Sequence, residues 1–179
     1  MSNFLSANSP IDIDDLKVLT SQLGRTPRGV MAILQRCDKG YPQVTQNAPM
    51  VSALTPFPTI YWLTCPLLNK KIAILENQGW INEFQEQIDR DRSFQQAFME
   101  AQKAYLKTRK RMVATVDDVP NYAQDVLTEA GIGGVGDLSR VKCLHAHYAH
   151  YLASGENPIG QKIDALIDKT VCEVACEAG

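Results

Sequence analysis

All three histidines of the 179-residue chain fall in one short stretch that also holds a cysteine, KCLHAHYAHYL, at positions 142–152. At ~100° per residue, the side chains of Cys143, His147 and His150 lie within about 60° of one another on one side of a helix. His145 points away from that group. Thiolate and imidazole are ligands that zinc and related metals take in proteins, so the stretch predicts part of a metal site.

One helix rarely completes a metal shell, so further ligands must come from other segments. Cys37, in a turn after a predicted strand, and Cys65, directly before Pro66, lie where the chain changes direction. Three thiolates and one imidazole would suit a closed zinc site, whereas three cysteines could hold an iron–sulfur cluster with one open iron. We therefore predict zinc or an iron–sulfur cluster, with ligands drawn from Cys37, Cys65, Cys143, His145, His147 and His150. No familiar ligand spacing such as CxxC or HExxH is present, so inert core cysteines are the alternative.

Two basic segments predict binding of an anionic small molecule. Arg25 and Arg28 flank Pro27 in a stiff loop, where two guanidinium groups can hold a phosphate or a carboxylate; internal ion pairs are the alternative. The glycine-rich segment at 131–136 leads towards a helix N-terminus near Lys142, where a phosphate could dock. Its GxGxxG pattern follows a predicted helix and not a strand, which excludes a dinucleotide-binding fold.

Two other classes of function fit the same residues. In a cysteine-nucleophile enzyme, Cys65 or Cys143 would attack the substrate, and His145 or His150 would act as the base. In a protein-interaction module that is not an enzyme, the cysteines would only fill the core. The sequence does not decide whether the chain is an enzyme.

Hydrophobic periodicity predicts an α+β fold, a mostly helical domain with a small N-terminal β-sheet. Five prolines exclude helix through most of residues 41–66, and strands are expected at 30–34, 43–45 and 59–64. Helices are expected at 12–23, 66–79, 81–113 (one, or two with a break near Asp91), 121–130, 137–153 and 157–176. We predict a flexible N-terminus at 1–11 and a single globular domain at 12–179.

Composition bounds the location and the partners. Apolar residues make up 45% of the chain, as in ordinary globular proteins, and the net charge of −2 argues against a nucleic-acid binder. No segment has the pattern of a signal peptide or the apolar length of a membrane span. We therefore expect a cytoplasmic protein with neither a nucleic-acid nor a membrane partner. The odd number of cysteines, five, argues against a disulfide framework, so we expect free thiols.

Several longer motifs occur together in this chain: GRTPRG (24–29), RC followed by a GxP turn (36–42), PFPTIYWLTCP (56–66), LExxG (75–79) and VKCLHAHYAHYLASGENPIG (141–160). Across about residues 24–160 the chain resembles the bacterial domain-of-unknown-function family 501. The resemblance implies no particular activity. It implies that the positions of Cys37, Cys65, Cys143, His145 and His150 recur, that the position of His147 is often apolar, and that Cys172 and Cys176 lie outside the pattern. The recurring thiols and imidazoles favour a metal or cysteine-based site.

Overall fold

The computed structural model describes residues 11–168 together with Cys172 and Cys176. The helices are α1 (Ile13–Leu23), α2 (Pro66–Asn77), α3 (Trp80–Arg90), α4 (Arg92–Val113), α5 (Asn121–Thr128), α6 (Leu144–Ser154) and α7 (Pro158–Leu166). The strands are β1 (Val30–Arg36), β2 (Pro42–Asn47), β3 (Met50–Ser52), β4 (Thr55–Pro56) and β5 (Tyr61–Leu63). This confirms the predicted α+β class. The expected flexible segment falls almost entirely outside the described residues, and the single-domain assignment stays a prediction.

The main sheet is antiparallel, with the strand order β1-β2-β5. The central strand β2 pairs with a neighbour on each side. Thr45, for example, lies opposite Ile33 of β1 and opposite Trp62 of β5. The three predicted strands are thus confirmed. A small hairpin of β3 and β4 was not predicted, since it ends on Pro56, and proline is tolerated only at the edges of sheets.

Helix α6 lies at the centre of the fold, where it packs against β5, α2 and α7. It is buried on most sides, as expected of a helix that carries apolar residues around its circumference. The sheet and the helices share one apolar core around it, which includes Val44, Leu63, Ile72, Phe84, Phe98 and Leu144. The residues at the N-terminus of α6 are therefore held in place by the packed core around the helix.

Two helix ends differ from the prediction. Asp137 does not cap α6; its carboxylate instead accepts hydrogen bonds from the N–H and the hydroxyl of Ser139, and the helix begins at Leu144. Helix α7 begins where it was predicted, with Asn157 as its cap, but it ends at Leu166 because Ile167 has extended backbone, so one continuous helix over 157–176 is wrong. Residues 169–171 and 173–175 of the expected helix lie outside the described residues.

The break near Asp91 is confirmed. Its backbone is extended, and its side chain accepts from the N–H groups of Ser93 and Phe94, which starts α4. Among the described helices, none combines the length and the apolar character needed to cross a membrane.

Candidate metal centre

The loop that leads into α6 is held in place by side chains from three different helices. In each case a side-chain oxygen accepts a hydrogen bond from a backbone N–H of the loop or of the first residue of α6. The pairs are Gln102 with Ile132 (2.8 Å), Gln85 with Val141 (2.9 Å) and Glu76 with Leu144 (2.8 Å). The start of α6 is therefore fixed relative to α2, α3 and α4.

A carboxylate, a thiol and an imidazole converge at this point. One donor atom each from Glu76, Cys143 and His145 lies within 4.8 Å of the others. Nδ1 of His145 is 3.1 Å from Oε1 of Glu76, and Nε2 is 3.1 Å from the carbonyl oxygen of Asn69. Within the described part of the chain, this is the group of three potential ligands that comes together.

The backbone at Cys143 explains why the thiol and His145 share one site. Cys143 precedes the helix with extended angles (φ −141°, ψ 114°), so helical periodicity does not apply to its side chain. The sequence-based grouping of Cys143 with His147 and His150 assumed that the helix had already started, and it differs from the structure for that reason.

The cluster is partly open to solvent and strongly polar. The side chains of His145 and Glu76 are 27% and 25% exposed. Burial by itself lowers the pKa of His145, but the hydrogen bond with Cys143, the charge of Glu76 and the carbonyl of Asn69 raise that pKa to about 9. Without a metal, His145 is therefore a cation at neutral pH that can donate to both neighbouring oxygens.

A glycine lets the loop approach the thiol closely. Gly133 has a φ of +73°, in the left-handed region that favours glycine, and a Cβ there would lie 3.2 Å from Cβ of Cys143. The loop backbone thus covers one side of Cys143, and the solvent-facing side is where a ligand or substrate would enter.

Zinc fits this set of donors. When the proton of neutral His145 is on Nε2, it is donated to the carbonyl of Asn69, and the lone pair of Nδ1 faces Glu76. Histidine ligands of metals usually donate their second N–H in this way. Iron–sulfur clusters are held mainly by several thiolates, whereas this cluster supplies the thiolate of Cys143 alone, so its donor set does not fit such a cluster.

The other predicted cysteines lie elsewhere. Cys37 is partly buried in the turn after β1, where its N–H donates to the carbonyl of Tyr41. Cys65 is buried directly before α2, and burial raises the pKa of its thiol, although the backbone N–H groups of Leu68 and Leu67 partly oppose this rise. Neither Cys37 nor Cys65 joins the cluster of described residues at the start of α6.

His147 and His150 are also held away from this cluster. Both are buried, and the Nδ1 atom of each accepts a hydrogen bond of 3.1 Å from Nδ2 of Asn157. The orientation of that amide is fixed, since its oxygen accepts from the N–H of Gly160. Both histidines therefore serve the packing of α6 on α7, and we do not include them in the ligand set proposed below.

The residues predicted to bind anions fall in two places. Arg25 and Arg28 line a small pocket beside the sheet, whereas Lys142 is exposed next to Cys143 and does not line that pocket. The structure therefore separates the two predicted anion-binding segments.

Glu76 is not among the ligands predicted from the sequence, yet it is the carboxylate of the cluster and only 25% exposed. A signal was available: Leu68, Ile72 and Glu76 follow one another at steps of four residues. A carboxylate that continues such an apolar row lies at the edge of the buried face.

Fold and site together describe a small α+β protein with a partly exposed Cys/His/Glu cluster of the metal-ligand type. Residues 33–165 match the family described as protein of unknown function (DUF501), and the chain belongs to that family. The resemblance drawn from the motifs is thereby confirmed. No curated protein and no solved structure matches the chain.

Proposed function

We propose that this protein binds zinc through Glu76, Cys143 and His145. The observation that carries the proposal is the convergence of three donor atoms of different chemistry within 4.8 Å, with the second nitrogen of the imidazole turned to a backbone carbonyl. Carboxylate, thiolate and imidazole are the three kinds of side chain that zinc accepts in proteins.

Three protein ligands and partial exposure favour a reactive centre over a closed structural one. Structural zinc sites take four protein ligands, whereas catalytic sites take three and leave a position for water or substrate. Zinc in such a site lowers the pKa of a bound water and polarises a substrate carbonyl. The residues of the chain would hold the metal, and Gly133 restricts access to one side of Cys143.

The zinc content of the purified full chain tests the proposal. We expect about one zinc per chain in the wild type and loss of most of it in each of Cys143→Ala, His145→Ala and Glu76→Gln. Cys37→Ala is the matched control. The substitution removes a partly exposed cysteine outside the cluster, so the variant protein should retain its zinc.

Cobalt adds a readout of the ligands themselves. In protein reconstituted with Co²⁺, a thiolate-to-metal absorption band should be present in the wild type and in Cys37→Ala, and absent in Cys143→Ala. Wild-type protein that takes up neither metal would defeat the proposal. Loss of zinc in Cys37→Ala alone would move the site to the turn after β1.

A second function, covalent catalysis by Cys143, is favoured by one observation. Its thiol shares a hydrogen bond with the imidazole of His145, whose pKa is raised, and it stands at the start of a helix. In a catalytic triad, one imidazole nitrogen of His145 would accept the proton of the thiol and the other would donate to Glu76. Since Nδ1 faces Glu76, the thiol would need Nε2, but Nε2 faces the carbonyl of Asn69. The geometry therefore supports zinc better.

Alkylation separates the two functions. If Cys143 is a metal ligand, the protein holds zinc when purified, this zinc protects the thiol from iodoacetamide, and removing the zinc exposes the thiol to alkylation. A zinc-free Cys143 that reacts at least tenfold faster than a model thiol of the same charge, in a protein that holds no zinc when purified, would establish the nucleophile instead.

A further inference from the structure

A second candidate site lies beside the sheet, in a shallow pocket that encloses about 30 Å³ and is half open to solvent, so a ligand there would be only partly covered. The loop after α1 forms its rim, and strands β2 and β5 contribute to its floor and wall. Its lining includes Arg25, Arg28, Thr45, Asn47, Phe57 and Trp62. None of its lining residues belongs to the cluster of Glu76, Cys143 and His145.

The rim carries positive charge without a counter-ion. Arg25 and Arg28 are exposed, neither has an ion-pair partner among the described residues, and no acidic residue lines the pocket. Arg36 on the neighbouring strand is different, because both of its terminal nitrogens bond the carboxylate of Asp15 at 2.7 and 2.8 Å. An arginine with a structural role in this region is thus paired, and the two at the rim are not.

The floor of the pocket supplies a hydrogen-bond donor, the side-chain amide of Asn47. Asn47 is 4% exposed, and its amide oxygen accepts from the hydroxyl of Thr45 at 3.4 Å. The amide nitrogen therefore points away from Thr45, and no described residue accepts a hydrogen bond from it. Asn47 lines the pocket, and its amide nitrogen is not among the sealed, unpaired atoms of the described part of the chain. The amide N–H is therefore a donor that an acceptor oxygen of a bound ligand could meet.

One wall is aromatic. The rings of Phe57 and Trp62 lie 5.2 Å apart at an angle of 32° and border the same pocket. Two cations and one amide donor, opposed by no negative group, match the oxygens of a doubly charged anion, and the rings match a flat apolar group attached to it.

We propose that this pocket binds a small phosphate monoester, with its phosphate between Arg25, Arg28 and Asn47 and its organic group against Phe57 and Trp62. Two guanidinium groups balance the two charges of the phosphate, whereas a carboxylate would balance one. This site goes beyond the proposed zinc centre and does not depend on it.

Calorimetric titration of the full chain with phenyl phosphate, inorganic phosphate and benzoate tests the proposal. We expect phenyl phosphate to bind more tightly than either of the others. Arg25→Gln with Arg28→Gln should weaken phenyl phosphate binding at least tenfold, and so should Asn47→Asp, which places a negative charge at the floor. Arg90→Gln is the matched control, since that arginine is exposed on α3 and paired with Glu86, and it should bind as the wild type does.

The double variant Arg25→Gln with Arg28→Gln, called the rim variant below, should stay folded, because neither arginine forms an ion pair with a described residue. Its melting temperature should therefore match that of the wild type. Absence of phenyl phosphate binding at millimolar concentration in folded wild type would overturn the proposal. Undiminished binding in the rim variant would place the ligand elsewhere, and tighter binding of benzoate would replace the phosphate by a carboxylate. Zinc content is expected to be unchanged in all of these variants, so failure here and failure of the zinc centre are distinguishable.

Discussion

At the scale of single residues, a buried arginine holds the middle of the chain together. Arg109 is fully buried in α4, and its guanidinium donates to the backbone carbonyls of Pro58, Leu127 and Ala130. It also lies over the ring of Tyr105, with its central carbon 5.4 Å from the ring centroid. One side chain thus joins the loop before β5 to the end of α5.

Replacing this arginine should destabilise the fold strongly. Arg109→Met keeps much of the volume but leaves the buried carbonyl oxygens of Leu127 and Ala130 without their donor, whereas the carbonyl of Pro58 still accepts from the hydroxyl of Tyr105. We therefore expect the free energy of unfolding to fall by at least about 2 kcal/mol. Chemical denaturation measures it. Arg111→Met, two residues along the same helix and exposed, should change it by less than about 0.5 kcal/mol. Equal effects of the two substitutions would contradict this role.

At the scale of elements, α6 and α7 touch so closely that only glycine fits at their crossing. A Cβ on Gly160 would collide with Cβ of Tyr151 and would lie 2.8 Å from the carbonyl oxygen of His147. Since both neighbours belong to the rigid part of α6, they cannot move aside without shifting the helix.

Alanine at this crossing should therefore cost stability in spite of its better helix propensity. We expect Gly160→Ala to lower the free energy of unfolding by about 1–3 kcal/mol through overpacking. Gly136→Ala is the matched control, because that position has a negative or extended φ and no atom within 4 Å of the added Cβ. Thermal or chemical unfolding of the two variants measures the difference, and a stabilised Gly160→Ala would refute the close packing.

The helix ends show which parts of the fold can be predicted from the sequence. Ends of helices that are fixed by a local cap were predicted correctly, as at Asp12 and Gly24 of α1 and at Asn157 of α7. The start of α6 was not, because the capping residue Asp137 bonds Ser139 instead and the helix is positioned by distant acceptors. The candidate site likewise has a part that lies within one segment of the sequence and a part that depends on contacts between distant segments.

Cys143 and His145 were both among the predicted ligands, but helical spacing grouped Cys143 with His147 and His150 and turned His145 away, because it assumed that the helix had already begun at Cys143. Glu76 was missed because it is 67 positions before the cysteine and reaches the site only through the packing of α2 on α6. The predicted ligands Cys37 and Cys65 were placed with Cys143 because they are the same type of residue, and no local pattern reports how far apart such residues lie in the fold.

At the scale of the whole molecule, the centre of the fold holds two neutral histidines among aromatic rings. His150 stacks on Tyr61 with ring centroids 5.6 Å apart and meets Tyr105 edge-on at 5.4 Å. The groups that face it are therefore those two phenols, the amide of Asn157 and His147. Burial lowers the pKa of His150 to about 4, and it lowers the pKa of His147 to about 3, with the nearby His150 adding to the effect.

This centre makes the stability of the protein depend on pH. An unfolded histidine takes up a proton as the pH falls through about 6.5, whereas the folded His150 stays neutral until about pH 4. Between those values the unfolded chain binds more protons than the folded one, so the free energy of unfolding falls as the pH falls. The loss approaches about 1.4 kcal/mol per pH unit for each buried histidine. Above about pH 6.5 this contribution is fully present.

Denaturation with urea at pH 7.5, 6.5, 5.5 and 4.5 measures that slope. His150→Phe keeps an aromatic ring between Tyr61 and Tyr105 but cannot take up a proton, so the slope between pH 6.5 and 4.5 should be about half that of the wild type. The carboxylate of Asp15, whose pKa is lowered mainly by its hydrogen bonds with Arg36, loses its stabilising effect only at more acidic pH and does not disturb this window. An unchanged slope in His150→Phe would mean that His150 is not neutral in the folded protein, and the stacked centre would then have to hold a charge that its aromatic neighbours cannot balance.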